Sequence, residues 1–198
     1  MGDVPLERII MDPAPGTATE EDLLRLLDGD EKRLVELVDG TLVEKPVGLL
    51  EALIAANIVH ILRDFVAPRR LGLVFSSDAT LRMILGNVRL PDVTFISAEH
   101  LPGGELPSGA IQTLPPTLAV EVISESNTKA EMRKKLDEYF QSGARLVWMV
   151  YPKTKSVAIY DEPSDDPAKT VTESETLDGG DVLPGFSIAV AEIFRKKV

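Results

Sequence analysis

The fold is decided by one stretch of the sequence, Thr117-Leu118-Ala119-Val120-Glu121-Val122-Ile123. Apart from Glu121 this stretch is uncharged and mostly apolar, which is typical of a strand buried on both faces. Thr128 and Glu131 then form a capping-box pattern that predicts a helix from about 128 to 142. A further apolar run at 145–151 predicts a second strand. This strand–helix–strand order predicts a buried sheet with helices packed against it.

The rest of the sequence predicts more helices and strands around this unit. Asp39-Gly40 lies between two apolar runs, which predicts a hairpin with a type I′ turn. We expect Pro68 to end the longest helix, because proline has no N–H to donate. The predicted elements are a helix at 19–27, a hairpin at 33–44, a helix at 49–66, strands at 71–76, 79–84 and 88–96, and later strands at 155–160 and 169–175. Together they predict an α/β fold, with a central mixed sheet flanked by helices.

Composition excludes several classes of protein. The 198 residues include no cysteine, which rules out disulfide frameworks and cysteine-ligated metal sites. We expect a cytoplasmic protein, because the sequence has neither a secretory signal pattern nor a stretch of about 18–20 apolar residues that would span a membrane. The net charge is −11, but it is uneven: residues 1–45 hold 12 acids and 5 bases, residues 161–181 hold 8 acids and 1 base, and the other 132 residues hold 12 acids and 15 bases. The mildly basic remainder permits a polyanionic partner without requiring one.

Three carboxylates lie in otherwise apolar surroundings. Burying ionised Glu121 costs several kcal/mol unless it finds a cation, a proton or a water-filled cleft, so a structural ion pair and a metal site are equally open for it. Asp92 opens a predicted strand, where an aspartate is commonly a turn residue. Glu36 pairs with Val43 in the predicted hairpin register and lies on an apolar face. Lys135, on the flank of the helix after Glu121, is placed to reach back to that carboxylate.

These residues carry a resemblance to a known superfamily. Pro91-Asp92, Glu121-Val122-Ile123-Ser124 and a helix with Lys135 and Tyr139 resemble the PD-(D/E)XK nucleases. The wider sequence around them is similar to the Uma-two family of restriction-endonuclease-like proteins. The segments that carry this likeness lie at 34–40, 44–48, 89–93, 135–139 and 147–150.

The resemblance implies a fold and a division of the chain. It implies a restriction-endonuclease-like core at about 30–160 within a single domain, 1–198. The helix at 19–27 precedes this core, and C-terminal strands and a tail at 161–198 follow it. It further implies an endonuclease that hydrolyses DNA phosphodiester bonds, for which a homodimer is expected.

The resemblance also implies the site residues. Asp92 and Glu121, helped by the main-chain carbonyl of Val122, would hold Mg²⁺ or Mn²⁺. Glu36 matches an acidic position of the family and would bind the metal or orient water. Lys135 would stabilise the developing negative charge or hold the nucleophile. We expect the three acidic side chains to meet at one sheet edge, where the divalent ion neutralises them.

The sequence departs from the family pattern in ways that keep other functions open. The superfamily has lysine two positions after the glutamate, but Ile123 is found there, and Lys135 on the following helix fits a displaced lysine. Glu125 stands where the family usually has proline. His60 and His100 match no family site, so we interpret both as structural. The alternatives are a catalytically inactive nuclease-fold module that binds nucleic acid or a protein, and a buried ion network without a ligand.

Overall fold

Four α-helices, four short 3₁₀-helices and twelve strands form the regular structure of residues 4–29, 33–46 and 48–196, which this computed structural model describes. The α-helices are α1 (Glu20–Leu27), α2 (Leu49–Arg69), α3 (Lys129–Gln141) and α4 (Val190–Ile193). The strands are β1 (Val35–Val38), β2 (Thr41–Glu44), β3 (Gly72–Ser76), β4 (Leu81–Arg82), β5 (Val88–Arg89), β6 (Val93–Ser97), β7 (Leu118–Val122), β8 (Leu146–Tyr151), β9 (Ser156–Tyr160), β10 (Lys169–Thr172), β11 (Thr176–Gly179) and β12 (Leu183–Ala189). None of the helices in these ranges is both long and apolar enough to cross a membrane.

The centre of the fold is a six-stranded sheet in the order β10-β9-β8-β7-β6-β3. Strands β7 and β8 lie parallel and are connected through α3, as the strand–helix–strand pattern predicts. The other described neighbours in this sheet are antiparallel. The predicted fold class, a mixed sheet flanked by helices, is therefore confirmed.

The two faces of β7 pack against different helices. Leu118, Val120 and Val122 belong to a core cluster with α2, whereas Ala119 packs with α3. Because side chains alternate along a strand, Glu121 lies on the α3 face together with Ala119. The candidate site therefore lies on the side of the sheet that α3 covers.

The register between β6 and β7 brings two predicted site residues together. Val93 pairs with Val120, and Thr94 pairs with Ala119, in an antiparallel ladder. Asp92 directly precedes this ladder, and its Oδ2 accepts a hydrogen bond from the Val122 N–H at the end of β7. The charge of Asp92 raises the pKa of Glu121, so the two carboxylates lie within electrostatic reach of each other.

The predicted hairpin forms with the expected register. Val38 pairs with Thr41, and Glu36 pairs with Val43. Asp39 and Gly40 have φ values of 47° and 68°, the positive angles that a type I′ turn requires. The hairpin extends into a second sheet in the order β2-β1-β5-β4, on which α1 packs.

Some predicted boundaries are wrong. Helix α2 does not stop before Pro68 but ends at Arg69, with Arg70 in the left-handed region at φ 54°. A proline in the last turn removes only one helical hydrogen bond, so it does not force an earlier end. The strand predicted at 88–96 is interrupted near Pro91, which separates β5 from β6. This break places Asp92 at the entrance of β6.

The C-terminal region contains more structure than the sequence predicts. C-terminal strands were expected within 161–198, but the positions of β11 and β12 and the short helix α4 were not predicted. Leu183, Phe186, Val190 and Ile193 of this region are buried in the core cluster that also contains α2 residues. The hydrophobic pattern here is short and is interrupted by glycine, which explains why periodicity missed it.

Candidate active site

The residues predicted for the site converge at one end of β7. The Lys135 ammonium lies 3.0 Å from Glu36 Oε1 and 3.1 Å from Glu121 Oε1. Asp92 Oδ2 accepts a hydrogen bond of 2.6 Å from the backbone N–H of Val122. The structure thus brings all four candidate side chains and Val122 together, although they are widely separated in sequence.

The members of the site differ in their access to solvent. Glu36 is 0 % exposed, Glu121 is 4 % exposed and Lys135 is 2 % exposed. The Asp92 side chain is 16 % exposed and lines a cavity of about 520 Å³, which we call the α2 cleft. The cleft is bounded by α2, the segment before it and the end of β3, with Lys45, Pro46, Ala52, Ala56, Val59, His60, Arg63, Ser76 and Ser77 among its lining residues. Of the three carboxylates predicted for the site, Asp92 is thus the one that lines this open space.

Lys45 is a buried cation of the site that sequence reasoning missed. Its ammonium lies 2.9 Å from Asp92 Oδ1 and also donates to the carbonyl of Leu90. Lys45 directly follows β2, so the hairpin positions it. Lys45 lies in the segment 44–48, which resembles the family, and this likeness could have drawn attention to it. Nothing in the local sequence pattern indicates that it pairs with Asp92.

Arg89 is the second missed cation. Its Nη1 lies 2.9 Å from Glu36 Oε2, and its Nε lies 2.6 Å from Glu138 Oε2. The backbone N–H of Leu90 donates to the other oxygen of Glu36 at 3.1 Å. A charged residue between Val88 and Leu90 in a short apolar run was the signal that could have found it.

These cations balance much of the negative charge of the site. The described residues contribute four carboxylates, from Glu36, Asp92, Glu121 and Glu138, and three cations, from Lys45, Arg89 and Lys135. That a divalent ion also neutralises the acidic side chains stays a prediction. Protein cations already balance most of the negative charge, as buried carboxylates require.

Glu36 and Lys135 stabilise each other's charged forms. Burial alone would raise the pKa of Glu36, but the charges of Lys135, Arg89 and Lys45 outweigh it and lower that pKa. Burial would lower the pKa of Lys135, but the nearby carboxylates of Glu121 and Glu36 raise it above its ordinary value. Both groups are thus held ionised at neutral pH.

Glu121 responds in the opposite direction. Burial raises its pKa, and the charges of Asp92 and Glu36 add to this effect against the opposing field of Lys135 and Lys45. The hydroxyl of Tyr139 donates a hydrogen bond to Glu121 Oε1, and burial raises the pKa of that tyrosine well above its ordinary value. Tyr139 therefore acts as a fixed donor that orients the Glu121 carboxyl group.

The lowered pKa of Glu36 predicts a pH-dependent stability. The contribution of this ion pair should be fully present above the unfolded-state pKa, about 4.5, and be lost as the pH falls toward the lower folded-state pKa. We expect Glu36→Gln to flatten the loss of unfolding free energy in acid, as measured by urea titrations from about pH 6 to about pH 3. The exposed Glu105→Gln is the matched control and should follow the wild type. Identical acid profiles for Glu36→Gln and the wild type would contradict the assignment.

The donor set fits a hard divalent cation of the Mg²⁺ type. Asp92 and Glu121 offer neighbouring carboxylate oxygens, and an extended residue such as Val122 directs its carbonyl to the same side as its N–H, toward Asp92. In the described ranges, no group of three or more histidine, aspartate or glutamate side chains is arranged to enclose a metal. Mg²⁺ keeps several waters and uses one or two protein carboxylates, so two carboxylates and a carbonyl suffice for it.

The remaining sequence candidates have ordinary partners. His60 lines the α2 cleft at its exposed rim, 3.6 Å from Asp64, and His100 Nδ1 lies 3.3 Å from Thr117 Oγ1. Glu125, the departure from the family pattern, pairs with Lys153 at the surface.

Four bases of the mildly basic part of the chain lie on α3: Lys129, Arg133, Lys134 and Lys135. Lys135 is buried against two carboxylates, Lys134 pairs with Asp39, and Arg133 pairs with Asp137 and Asp165. Three of these four bases thus form ion pairs within the protein.

Comparisons with known proteins agree with this architecture. A family model described as "Uma2: Putative restriction endonuclease" matches residues 20–191. A solved structure from Anabaena variabilis, described as a "putative nuclease belonging to DUF820", has a TM-score of 0.71 and 17 % sequence identity, with 89 % of this chain and 97 % of that chain covered. At this identity the structural likeness shows the fold alone. No curated protein matched the chain.

Proposed function

Because the chain belongs to the Uma2 family, which is described as "Putative restriction endonuclease", we propose that it is a nuclease that hydrolyses DNA phosphodiester bonds with a divalent metal ion. One observation carries the proposal. Asp92 accepts a hydrogen bond from the N–H of Val122, the residue after Glu121, and the Lys135 ammonium lies 3.1 Å from Glu121. Two hard oxygen donors beside a buried cation are suited to binding a metal ion and a phosphate together.

In this proposal Asp92, Glu121 and the Val122 carbonyl hold Mg²⁺ or Mn²⁺. A bound divalent ion supplies a water of lowered pKa and neutralises charge on the phosphate. Lys45 keeps the Asp92 carboxylate oriented at 2.9 Å, and Tyr139 does the same for Glu121.

Lys135 is the catalytic cation in this proposal. Its ammonium is held ionised by the carboxylates around it, and it stabilises negative charge that develops on the phosphate. Glu36 is a positioning residue rather than a metal ligand, because its two oxygens are engaged by Lys135, Arg89 and the Leu90 N–H. Its full burial supports the same role.

A cleavage assay tests the proposed function. Purified protein is incubated with supercoiled plasmid and Mg²⁺ or Mn²⁺, with EDTA as the metal-free reference. We expect metal-dependent cutting by the wild type that Glu121→Ala abolishes. Glu125→Ala, an exposed glutamate four residues along the chain, is the matched control and should cut normally. Metal-dependent cutting that persists in Glu121→Ala would exclude this site as its source.

A second candidate function is a module that keeps the fold without catalysis. The observation that favours it is the charge balance, since Lys45 lies on Asp92 and Lys135 lies on Glu121. Such a module would bind nucleic acid or a protein partner but give no metal-dependent cutting in the same assay. The cleavage assay on the wild-type protein therefore distinguishes the two functions.

The homodimer and the cytoplasmic location stay predictions. Strands β3 and β10 form the two edges of the six-stranded sheet among the described strands, and an edge strand can pair with another chain.

A further inference from the structure

Strand β3 forms an open edge of the six-stranded sheet. It pairs with β6 on one side, and no other strand of the described ranges pairs with its second side. The Leu71 carbonyl accepts a hydrogen bond from the Ala98 N–H where this ladder begins. Because backbone groups alternate between the two sides of a strand, the N–H and C=O of Gly72 and Val74 face away from β6. Outside the ladder, neither residue takes part in a backbone hydrogen bond of the described ranges, so these groups are available to a further strand.

The sequence of β3 does not protect this edge. Gly72–Ser76 contains no charged residue and no proline, two features that commonly keep edge strands from pairing with other chains. Leu73 is 38 % exposed and lies on the same face of the sheet as Phe75. An exposed leucine beside unpaired backbone groups favours a surface that another strand covers.

The charges at the two ends of β3 have opposite signs. Arg70 lies two residues before the strand and Asp78 lies two residues after it, so both are four residues from Val74. Both residues are exposed, and neither forms an ion pair with a residue of the described ranges. An antiparallel pair brings the start of one strand to the end of the other. Two copies paired through β3 would therefore bring Arg70 of each to the same end of the interface as Asp78 of the other.

The opposite edge of the same sheet, β10, is not suited to such pairing. It carries Lys169, and a charged residue on an edge strand works against pairing. Acids lie at both ends of it, with Asp165 and Asp166 before the strand and Glu173 and Glu175 after it. An antiparallel pair of two β10 strands would bring the acids of one copy to the acids of the other, and like charges repel. Of the two edges, β3 is therefore the one that fits a second copy of the chain.

We propose that two copies of this chain associate through β3, in an antiparallel pair with Val74 at the twofold axis. Gly72 then pairs with Ser76 of the second copy, and Leu73 pairs with Phe75 of the second copy. The two six-stranded sheets join into one continuous sheet. Such a contact uses the same surface on both copies and closes at two. The proposal goes beyond the nuclease function and does not depend on it.

The size of the contact predicts a reversible dimer. A ladder of five residues from each copy is a small interface, and small interfaces are typical of weak, transient complexes. We expect a monomer–dimer equilibrium with a dissociation constant of about 1–50 µM. Sedimentation velocity of the full chain, from about 1 to about 200 µM, measures it. A wild type that stays monomeric over this whole range would overturn the proposal.

A charge placed on the edge tests whether β3 forms the contact. Leu73→Lys puts an ammonium against Phe75 of the second copy, and we expect it to raise the dissociation constant of the dimer at least about thirtyfold. Leu53→Lys is the matched control, because Leu53 is 39 % exposed but lies on α2. The control should dimerise like the wild type, and matching melting temperatures show that both variants are folded. A folded Leu73→Lys that dimerises like the wild type would overturn the proposal.

A charge exchange tests the antiparallel direction, and it also decides the proposal if Leu73→Lys does not fold. Arg70→Glu alone, or Asp78→Arg alone, brings like charges together at both ends of the interface. We expect each to raise the dissociation constant about five- to tenfold at low salt, and less at high salt. The double variant, with both changes, restores opposite charges and should return to within about threefold of the wild type. A double variant that dimerises no better than the single variants would overturn the antiparallel pairing.

Discussion

Lys135→Met should lower the rate of metal-dependent DNA cleavage by about 10²–10³-fold, the usual cost of losing one preorganised charge-stabilising group. The side chain keeps an unbranched apolar stem but loses the ammonium that lies 3.1 Å from Glu121. Lys134→Met is the matched control, because Lys134 is the preceding residue of α3 and pairs with Asp39 near the surface. The control should cut at the wild-type rate in a plasmid assay.

A second variant separates lost chemistry from lost folding. Lys135→Met alone leaves the buried Glu121 without its main cation and is expected to destabilise the protein. Glu121→Gln combined with Lys135→Met removes both charges, and Glu36 keeps Arg89 and the Leu90 N–H. We expect this double variant to recover most of the wild-type stability yet remain inactive. Wild-type cleavage by the folded double variant would refute the catalytic role.

Arg89→Met should lower the free energy of unfolding by about 3–5 kcal/mol, because it leaves two buried carboxylates without their shared partner. Arg89 bridges Glu36 and Glu138 at 2.9 and 2.6 Å. Urea unfolding followed by circular dichroism measures the loss.

The matched control for Arg89 is an arginine with a partly exposed partner. Arg82 pairs with Glu20, and both side chains are about one-third exposed. We expect Arg82→Met to cost about 1 kcal/mol or less, as is usual for such pairs. Arg89→Lys keeps the positive charge but loses the planar guanidinium group that contacts both carboxylates. Its loss of unfolding free energy should lie between zero and that of Arg89→Met. Equal losses for Arg89→Met and Arg82→Met would contradict the network described here.

Much of the framework could be predicted from local signals. The Asp39-Gly40 turn sets the hairpin register, so the pairing of Glu36 with Val43 followed directly from the sequence. The lone Glu121 in an apolar strand marked the site, because such a charge needs a special environment. The helix after it brought Lys135 within reach as expected.

The ion network could not be predicted in the same way. Arg89 meets Glu36 because β5 pairs with β1, and Lys45 meets Asp92 because the residue after β2 reaches the start of β6. Both are contacts between segments far apart in the sequence. Sequence periodicity reports which face of an element is apolar, but it does not report which elements meet. The cations that balance the site were therefore missed.

The central claim is that Asp92 and Glu121 together hold a divalent metal ion. A crystal soaked in Mn²⁺, with an anomalous difference map calculated from its diffraction, tests this most directly. The account predicts a peak bridging the two carboxylates at coordination distance, about 2 Å from their oxygens, with Lys45 displaced from Asp92 or sharing it. A map without this peak, in which Lys45 still pairs with Asp92 and Lys135 with Glu121, would contradict it.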